Sequence, residues 1–132
     1  MKLKTSLSKG SKSPSIIDSY IELYSLESRN LFPQSIERLR TGTTIIIPTG
    51  YIGLLTISSS LAKKGLINRD GISIVKENND SEIYIVLNNI SKSTQRVNRY
   101  TPLAKLILIR NEQIQLDICL LYTSPSPRDN RW

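Results

Sequence analysis

Residues 40–66 read RTGTTIIIPTGYIGLLTISSSLAKKGL, and this stretch decides the fold that the sequence predicts. Two β-branched runs, Thr43 to Ile47 and Tyr51 to Ile57, flank Pro48-Thr49-Gly50. Because β-branched residues favour extended backbone while proline and glycine favour turns, the pattern predicts two short strands joined by a turn. The next segment, Ser58 to Gly65, begins with helix-capping serines and ends at a glycine stop. It predicts one or two helical turns whose exposed hydroxyls and free N–H groups suit an anion.

The composition predicts a single all-β domain. The chain has 132 residues and 39% hydrophobic residues, and its isoleucines, leucines and threonines fall in short runs bounded by Gly, Pro, Asn and Ser. This pattern is typical of a β-sandwich or barrel. No run approaches the ~20 apolar residues that a membrane span requires. We therefore expect a soluble, intracellular protein without a membrane partner.

The residue inventory excludes several functional classes. The chain has no histidine, and its one cysteine is Cys119. A Cys/His zinc site, a histidine-dependent catalytic triad and a disulfide framework are therefore excluded. The formal net charge of +7 invites a nucleic-acid hypothesis, but the basic residues are dispersed and only one Phe and one Trp accompany them. Stacking on single strands needs more aromatic side chains, so a nucleic-acid partner is disfavoured.

The two ends of the chain differ from its centre. Residues Met1 to Ser15 carry four lysines and five serines, which predicts a flexible basic tail. Ile16 to Tyr24 alternates in polarity and predicts one strand. Ile114 to Ile118 predicts a further strand. From Cys119 to Asp129 the sequence resembles the translation of a sequencing adapter, so the β domain is expected at residues 16–118 and residues 119–132 are expected to replace the natural C terminus.

The central stretch resembles a known family. The order strand, Pro-x-Gly-Tyr-x-Gly-Leu, strand, Ser-Ser-Leu-Ala-x-Lys-Gly-Leu is similar to the trimeric dUTPase family around its second motif, and the resemblance covers about Ser15 to Ile109. It implies a distorted jelly roll with one short helix, and a homotrimer with each site built between subunits. It also implies hydrolysis of dUTP to dUMP and pyrophosphate, with magnesium held through the substrate phosphates.

The resemblance assigns candidate binding residues in three motifs. In the first motif, Glu22 stands where the family has an aspartate. In the second, Ser59 and Ser60 match the phosphate-binding part, but Ser58 replaces the family's basic residue. In the fourth, Lys105 replaces a phosphate-contacting glutamine. A lysine binds phosphate as a point charge, and an outward-facing role in solubility is the alternative.

The third motif bears on catalysis. In the family a hairpin that begins with glycine holds uracil, and its aspartate positions the attacking water. The resemblance places Gly71 at the glycine and Ile74 at the aspartate. Isoleucine accepts no proton. The following segment, Val75 to Ser81, has no tyrosine and is expected to form a lengthened hairpin tip.

A neighbouring acidic residue would be needed to replace the missing aspartate. The sequence excludes one such residue and leaves two as alternatives. Asp70 would lie roughly 13 Å from position 74 along a strand, beyond hydrogen-bond reach of the same water. Glu77 and Asp80 remain alternatives. The sequence thus assigns no catalytic residue and favours a catalytically impaired family member that binds a deoxyuridine nucleotide or serves as a structural trimer. An active dUTP diphosphatase and a basic nucleic-acid-associated protein are the alternatives.

Overall fold

The structure is a computed structural model that describes residues 1–122, and strands dominate it. Its elements, in chain order, are β1 (Thr5–Leu7), β2 (Ser15–Ile17), β3 (Tyr20–Tyr24), β4 (Arg29–Leu31), β5 (Ile36–Arg40), β6 (Thr43–Ile45), β7 (Tyr51–Ile57), α1 (Ser59–Ala62), β8 (Leu66–Asn68), β9 (Ser73–Val75), β10 (Tyr84–Asn89), β11 (Gln95–Val97) and β12 (Pro102–Arg110). The strands and the short helix predicted between residues 43 and 65 are confirmed as β6, β7 and α1.

Two antiparallel sheets supply the core. One has five strands in the order β2-β3-β12-β7-β9, and the other has three in the order β5-β10-β8. The pairs β1-β6 and β11-β4 complete the strand pairing. Buried side chains from both sheets meet in one hydrophobic cluster, which includes Leu23, Leu55 and Leu106 from the first sheet and Leu39, Ile85 and Leu87 from the second. The predicted all-β sandwich with one short helix is confirmed.

The strand β12 lies at the centre of the larger sheet, between β3 and β7. Successive side chains on a strand point to opposite faces. Ala104 and Leu106 are fully buried against the core, whereas Lys105, Ile107 and Ile109 point to the outer face of the sheet. Sequence alternation along β12 therefore sets which residues build the core and which are available to a ligand or partner.

The predicted flexible tail over Met1 to Ser15 is wrong for part of that segment. β1 pairs with β6 in the register Thr5↔Ile45, and Ser8 N donates to Gly42 O at 2.7 Å. β6 makes no pairing with β7, and an edge strand presents backbone groups that need partners. The N-terminal strand β1 supplies hydrogen-bond partners for the backbone groups at the edge of β6.

The strand predicted over Ile16 to Tyr24 is two strands. β2 and β3 pair with each other in the register Ile17↔Tyr20, around a turn of two residues at Asp18 and Ser19. Asp18 has φ +52, a conformation that aspartate adopts more readily than most residues. Polar and apolar residues continue to alternate through this tight turn. A prediction from periodicity alone therefore does not detect the turn.

The lengthened hairpin predicted after Gly71 is also wrong. β9 pairs with β7 in the larger sheet, and β10 pairs with β5 and β8 in the smaller one. The chain between them crosses from one sheet to the other and is held at the β6–β7 turn. Asn78 N donates to Ile47 O at 2.7 Å, and the Glu77 carboxylate accepts from Gly50 N at 2.8 Å.

The chain after β12 has no regular structure as far as Tyr122. Residues 111–122 are exposed, and the strand predicted at Ile114 to Ile118 is not formed. Cys119 is free and exposed, and the remainder of the adapter-like segment, from residue 123 onward, lies outside the described residues. Within residues 1–122 no helix has the length and apolar character needed to cross a membrane.

An ion pair ties β5 to the segment that precedes β10. The Arg40 guanidinium donates to the Glu82 carboxylate at 2.8 and 2.9 Å, and the Ser8 hydroxyl donates to it at 3.3 Å. The hydrogen bond from Arg40, only partly opposed by burial, holds the pKa of Glu82 below its ordinary value. A carboxyl group with a lowered pKa stabilises the fold above its ordinary pKa and loses that contribution as the pH falls through the lowered value.

We therefore expect Glu82→Gln to lower the Tm at neutral pH, and the Tm difference from the parent to shrink as the pH falls below about 4.5. The effect is modest because Arg40 is largely exposed. Thermal unfolding across pH measures it, with Glu112→Gln, in the exposed segment after β12, as the control. A Tm difference that stays constant down to the acid limit would contradict this role.

Candidate phosphate-binding site

A lysine and a serine from distant parts of the sequence meet on the outer face of the larger sheet. β12 presents Lys105 on that face, and its Nζ donates to Ser59 Oγ at 3.2 Å. Ser59, at the start of α1, is exposed, and Lys105 is half-buried. The ring centroid of Tyr20 lies 5.6 Å from the same Nζ. An ammonium group and a hydroxyl at this separation are both placed to donate to one anionic group.

The three consecutive serines have different environments. Ser58 is 4% exposed, and its hydroxyl donates to Pro102 O at 3.0 Å. It makes no side-chain capping bond to α1. Ser59 and Ser60 are exposed, so the exposed hydroxyls predicted for this segment are found at two of the three serines. Ser58 fixes α1 against β12, and this contact sets the position of Ser59 next to Lys105.

Glu22 lies directly across from Lys105 on the neighbouring strand. The Cα register pairs Lys105 with Glu22 of β3 on one side and with Thr56 of β7 on the other. Opposite residues of an antiparallel pair have Cβ atoms about 5 Å apart. The carboxylate therefore lowers the positive potential at Lys105, and the candidate site has both an attractive and a repulsive element for phosphate.

Tyr20 and Thr56 belong to the same outer face, and sequence reasoning missed both. Thr56 shares the face because it pairs directly with Lys105 of β12. Tyr20 was placed on a continuous strand, whereas it follows the β2–β3 turn. A correct assignment of the Asp18-Ser19 turn is the signal that would have placed Tyr20 next to Lys105.

Gly71 and Ile74 lie apart from the lysine–serine pair. Gly71 is in the exposed turn before β9, with φ +73, and a Cβ there would meet no atom within 4 Å. Ile74 is 62% exposed and is paired with Leu54 of β7. Two strand spacings separate β9 from β12, so Ile74 is roughly 10 Å or more from Lys105. That Ile74 stands at a catalytic position stays a prediction.

A cleft of about 570 Å³ lies beside Ile74, between β9 and the start of β10. Its walls include Asp70, Ser73, Ile74, Glu82 and Tyr84. Gly71 is next to this cleft in sequence, between two of its lining residues. None of the residues that line the cleft belongs to the lysine–serine pair, so within one chain the two candidate binding regions are separate.

Three carboxylates near the cleft are engaged within the chain. Glu77 accepts from Gly50 N at 2.8 Å, Asp70 pairs with Arg69 at 3.3 Å, and Glu82 is held by an arginine as described above. Asp80 is exposed. Among residues 1–122 no group of three or more His, Cys, Asp or Glu side chains is placed to hold a metal ion.

The fold and the lysine–serine pair define an all-β protein with a candidate site for a phosphorylated ligand. The sequence profile of the dUTPase family matches residues 17–124. The chain belongs to the dUTPase family.

Known proteins agree with this assignment. The chain is 32% identical over 106 residues to the deoxyuridine 5'-triphosphate nucleotidohydrolase of Mycobacterium marinum, a match that covers 75% of this chain and 66% of that protein. The dUTPase of Staphylococcus bacteriophage 80alpha, solved with dUpNHpp, is similar with a TM-score of 0.82 and 20% identity, covering 96% of this chain and 93% of that one. The dUTPase from phage phi11 of S. aureus, in which a structural Mg(II) ion is coordinated, has a TM-score of 0.82 and 21% identity, covering 94% and 100%. These structures show the fold, and the expected distorted jelly roll is confirmed.

We expect the first two serines of the run to respond differently to alanine. Ser58→Ala removes a buried hydrogen bond to Pro102 O and should lower the free energy of unfolding by about 1 to 2 kcal/mol. Ser59→Ala changes an exposed hydroxyl and should leave that free energy within about 0.5 kcal/mol of the parent. Urea denaturation of both variants measures this, and equal losses of stability would contradict the assignment of Ser58 as the anchor of α1.

Proposed function

We propose that this chain binds a deoxyuridine nucleotide through its phosphates, with Lys105 and Ser59 as direct contacts. The observation that carries the proposal is the 3.2 Å contact between Lys105 Nζ and Ser59 Oγ, which joins the second and fourth motifs of the family on one sheet face. Lys105 replaces the family's glutamine with a positive charge. That charge supplies the cationic contact which the family draws from the position that Ser58 occupies here.

The remaining site residues have supporting roles in this proposal. Ser60 offers a second hydroxyl at the start of α1, and Glu22, opposite Lys105 on β3, is the acid of the first motif. Gly71 gives the turn before β9 its positive φ, so the backbone there is free of a side chain beside the nucleoside. The cleft next to Ile74 has the size of a small-molecule site, and we assign the nucleoside to it.

Hydrolysis is impaired in this proposal. An isoleucine at the water-positioning place accepts no proton, and the loss of a general base typically costs ~10² to 10⁴ in rate. Two of the acids that border the cleft, Glu82 and Asp70, are paired with arginines, and Glu77 is bonded to backbone. Of the four acids near the cleft, Asp80 therefore has the fewest hydrogen bonds and ion pairs within the described chain.

Magnesium, which the family uses, fits this chain only as a phosphate-bound ion. Because no cluster of three metal-binding side chains is found in residues 1–122, the ion would take its oxygen ligands chiefly from the nucleotide and from water. Mg²⁺ is commonly bound in this way, through substrate phosphates and few carboxylates. The bound ion supplies charge neutralisation, and Lys105 adds to it.

A homotrimer completes the site in this proposal. The cleft and the lysine–serine pair are separate within one chain, so the cleft of one subunit would face the pair of another. The outer face of the larger sheet carries apolar side chains that a second copy would cover, namely Ile52, Leu54, Ile74, Ile107 and Ile109. Three of these are 37 to 62% exposed in the single chain.

We expect Lys105→Met to weaken binding of dUpNHpp about 10- to 100-fold, because it removes a charge-assisted hydrogen bond to phosphate. Isothermal titration calorimetry measures this, with the exposed Lys63→Met as the control of equal charge. Unchanged affinity in Lys105→Met, or equal weakening by both variants, would exclude Lys105 as the phosphate contact.

Purified protein given dUTP and magnesium should release no pyrophosphate above the buffer rate, while calorimetry still reports nucleotide binding. Brisk release would establish the active diphosphatase instead. In that event Asp80→Asn and Glu77→Gln would identify which carboxylate supplies the base, since each removes one acid without changing side-chain size.

Sedimentation velocity should report a trimer, and Ile107→Glu should dissociate it and weaken nucleotide binding together. Ile90→Glu places the same charge at an exposed isoleucine that follows the smaller sheet's β10, and it should leave the trimer intact. A parent chain that sediments as a monomer at micromolar concentration would remove this part of the proposal.

A further inference from the structure

The positive charge of the chain is concentrated in two segments without acids. Residues 1–17 and 83–111 hold nine of the 18 basic residues and none of the 11 acidic ones. The nine are Lys2, Lys4, Lys9, Lys12, Lys92, Arg96, Arg99, Lys105 and Arg110. The basic and acidic residues elsewhere nearly cancel, so the net charge of +7 arises from these two segments.

The fold brings the two segments together at Gly10. Arg99 Nη2 donates to Gly10 O at 2.8 Å, and the Tyr100 hydroxyl donates to the same oxygen at 2.5 Å. Gly10 has φ +83, and a Cβ at this position would lie 2.8 Å from Arg99 Nη2. The glycine therefore allows the loop between β1 and β2 to lie directly against Arg99.

Two cations at this junction lie over tyrosine rings. Lys12 Nζ is 4.0 Å from the ring centroid of Tyr24, and the Arg99 guanidinium is 4.5 Å from that of Tyr100. Tyr24 is only 7% exposed, and its hydroxyl donates to Ser15 Oγ at 2.8 Å, so the ring is fixed. A cation held over a ring keeps its position, and both cations belong to exposed residues.

Two carboxylates near this junction, Glu27 and Glu82, are compensated. Glu82 accepts from the loop residue Ser8, and Glu27 lies one residue before the serine that accepts the Arg99 N–H. Glu27 pairs with Arg29 at 3.2 Å, and Glu82 pairs with Arg40 at 2.8 Å. Their repulsion of an incoming anion is therefore reduced. We name Lys9, Lys12 and Arg99 the cationic patch.

We propose that the cationic patch binds the phosphates of a nucleic acid strand. Single cations spaced along an exposed loop match a series of phosphodiesters better than they match one compact anion. The exposed Ser13 hydroxyl, next to Lys12 in the sequence, is a further donor to phosphate. Such contacts need no aromatic stacking platform and do not depend on base sequence. The patch shares no residue with the lysine–serine pair, so this proposal is independent of nucleotide binding.

The test is fluorescence anisotropy of the full chain with a short labelled single-stranded DNA of mixed sequence, titrated at several salt concentrations. The variant Lys9→Gln/Lys12→Gln/Arg99→Gln removes the patch. The control Lys63→Gln/Lys76→Gln/Arg110→Gln removes the same number of charges from exposed positions elsewhere. Because each phosphate contact contributes about −0.7 to the slope of log K against log salt for single strands, the patch variant should lose about two units of slope. The control should keep the parent's slope.

Because Arg99 contacts the backbone of Gly10, the triple variant removes a structural contact as well as three charges. A second variant separates these two effects. Lys9→Gln/Lys12→Gln retains that contact, and it should lose about 1.4 units of slope with a Tm close to the parent's. Equal slope losses in patch and control variants would show a general charge effect and overturn the proposal. So would absence of DNA binding at low salt, displacement of the DNA by excess dUTP, or binding to phosphatidylserine vesicles without binding to DNA.

Discussion

The register of β12 between its two neighbours is the constraint on which both the core and the candidate site depend. In the observed register Ala104 and Leu106 are buried and Lys105 faces outward. A slip of one residue would exchange the faces, because side chains on a strand alternate with a period of two. It would bury an ammonium group and expose a leucine, and both changes cost free energy. The hydrophobic effect on one face therefore fixes the position of the charge on the other.

The position of Ser59 follows from the same strand. The hydrogen bond from Ser58 Oγ to Pro102 O holds the start of α1 against the beginning of β12, and Leu61 of α1 is 3% exposed in the core. These contacts leave little freedom in where the exposed Ser59 hydroxyl lies. A rigid placement of this kind suits ligand binding, since little ordering is needed when the ligand arrives.

Local sequence predicted the local parts of this structure and failed at the long-range ones. The strands and helix between residues 43 and 65 follow from β-branched runs, a Pro-Gly turn and a glycine stop, all within one short stretch. The pairing of β1 with β6 joins residues about 40 positions apart, and no periodicity in residues 1–15 encodes it. The assignment of β9 and β10 to different sheets likewise depends on contacts with β7 and β5 that local pattern does not contain.

The candidate site shows the same division. Lys105 and Ser59 are 46 residues apart, and in the sequence they are linked by family resemblance and not by spacing. Glu22 was identified as an acid on a strand, but its position opposite Lys105 required the register of β3. Tyr20 and Thr56 were missed because their contact with the site depends on the β2–β3 turn and on the β7–β12 pairing. Each of the two acid-free segments can be recognised in the sequence, but their contact at Gly10 depends on the fold.

The most direct measurement of the central claim is a crystal structure of the chain with bound dUpNHpp. We expect phosphate oxygens within hydrogen-bond distance of both Lys105 Nζ and Ser59 Oγ on the outer face of the larger sheet. A nucleotide bound elsewhere, or a Lys105 side chain directed away from the phosphates, would contradict it.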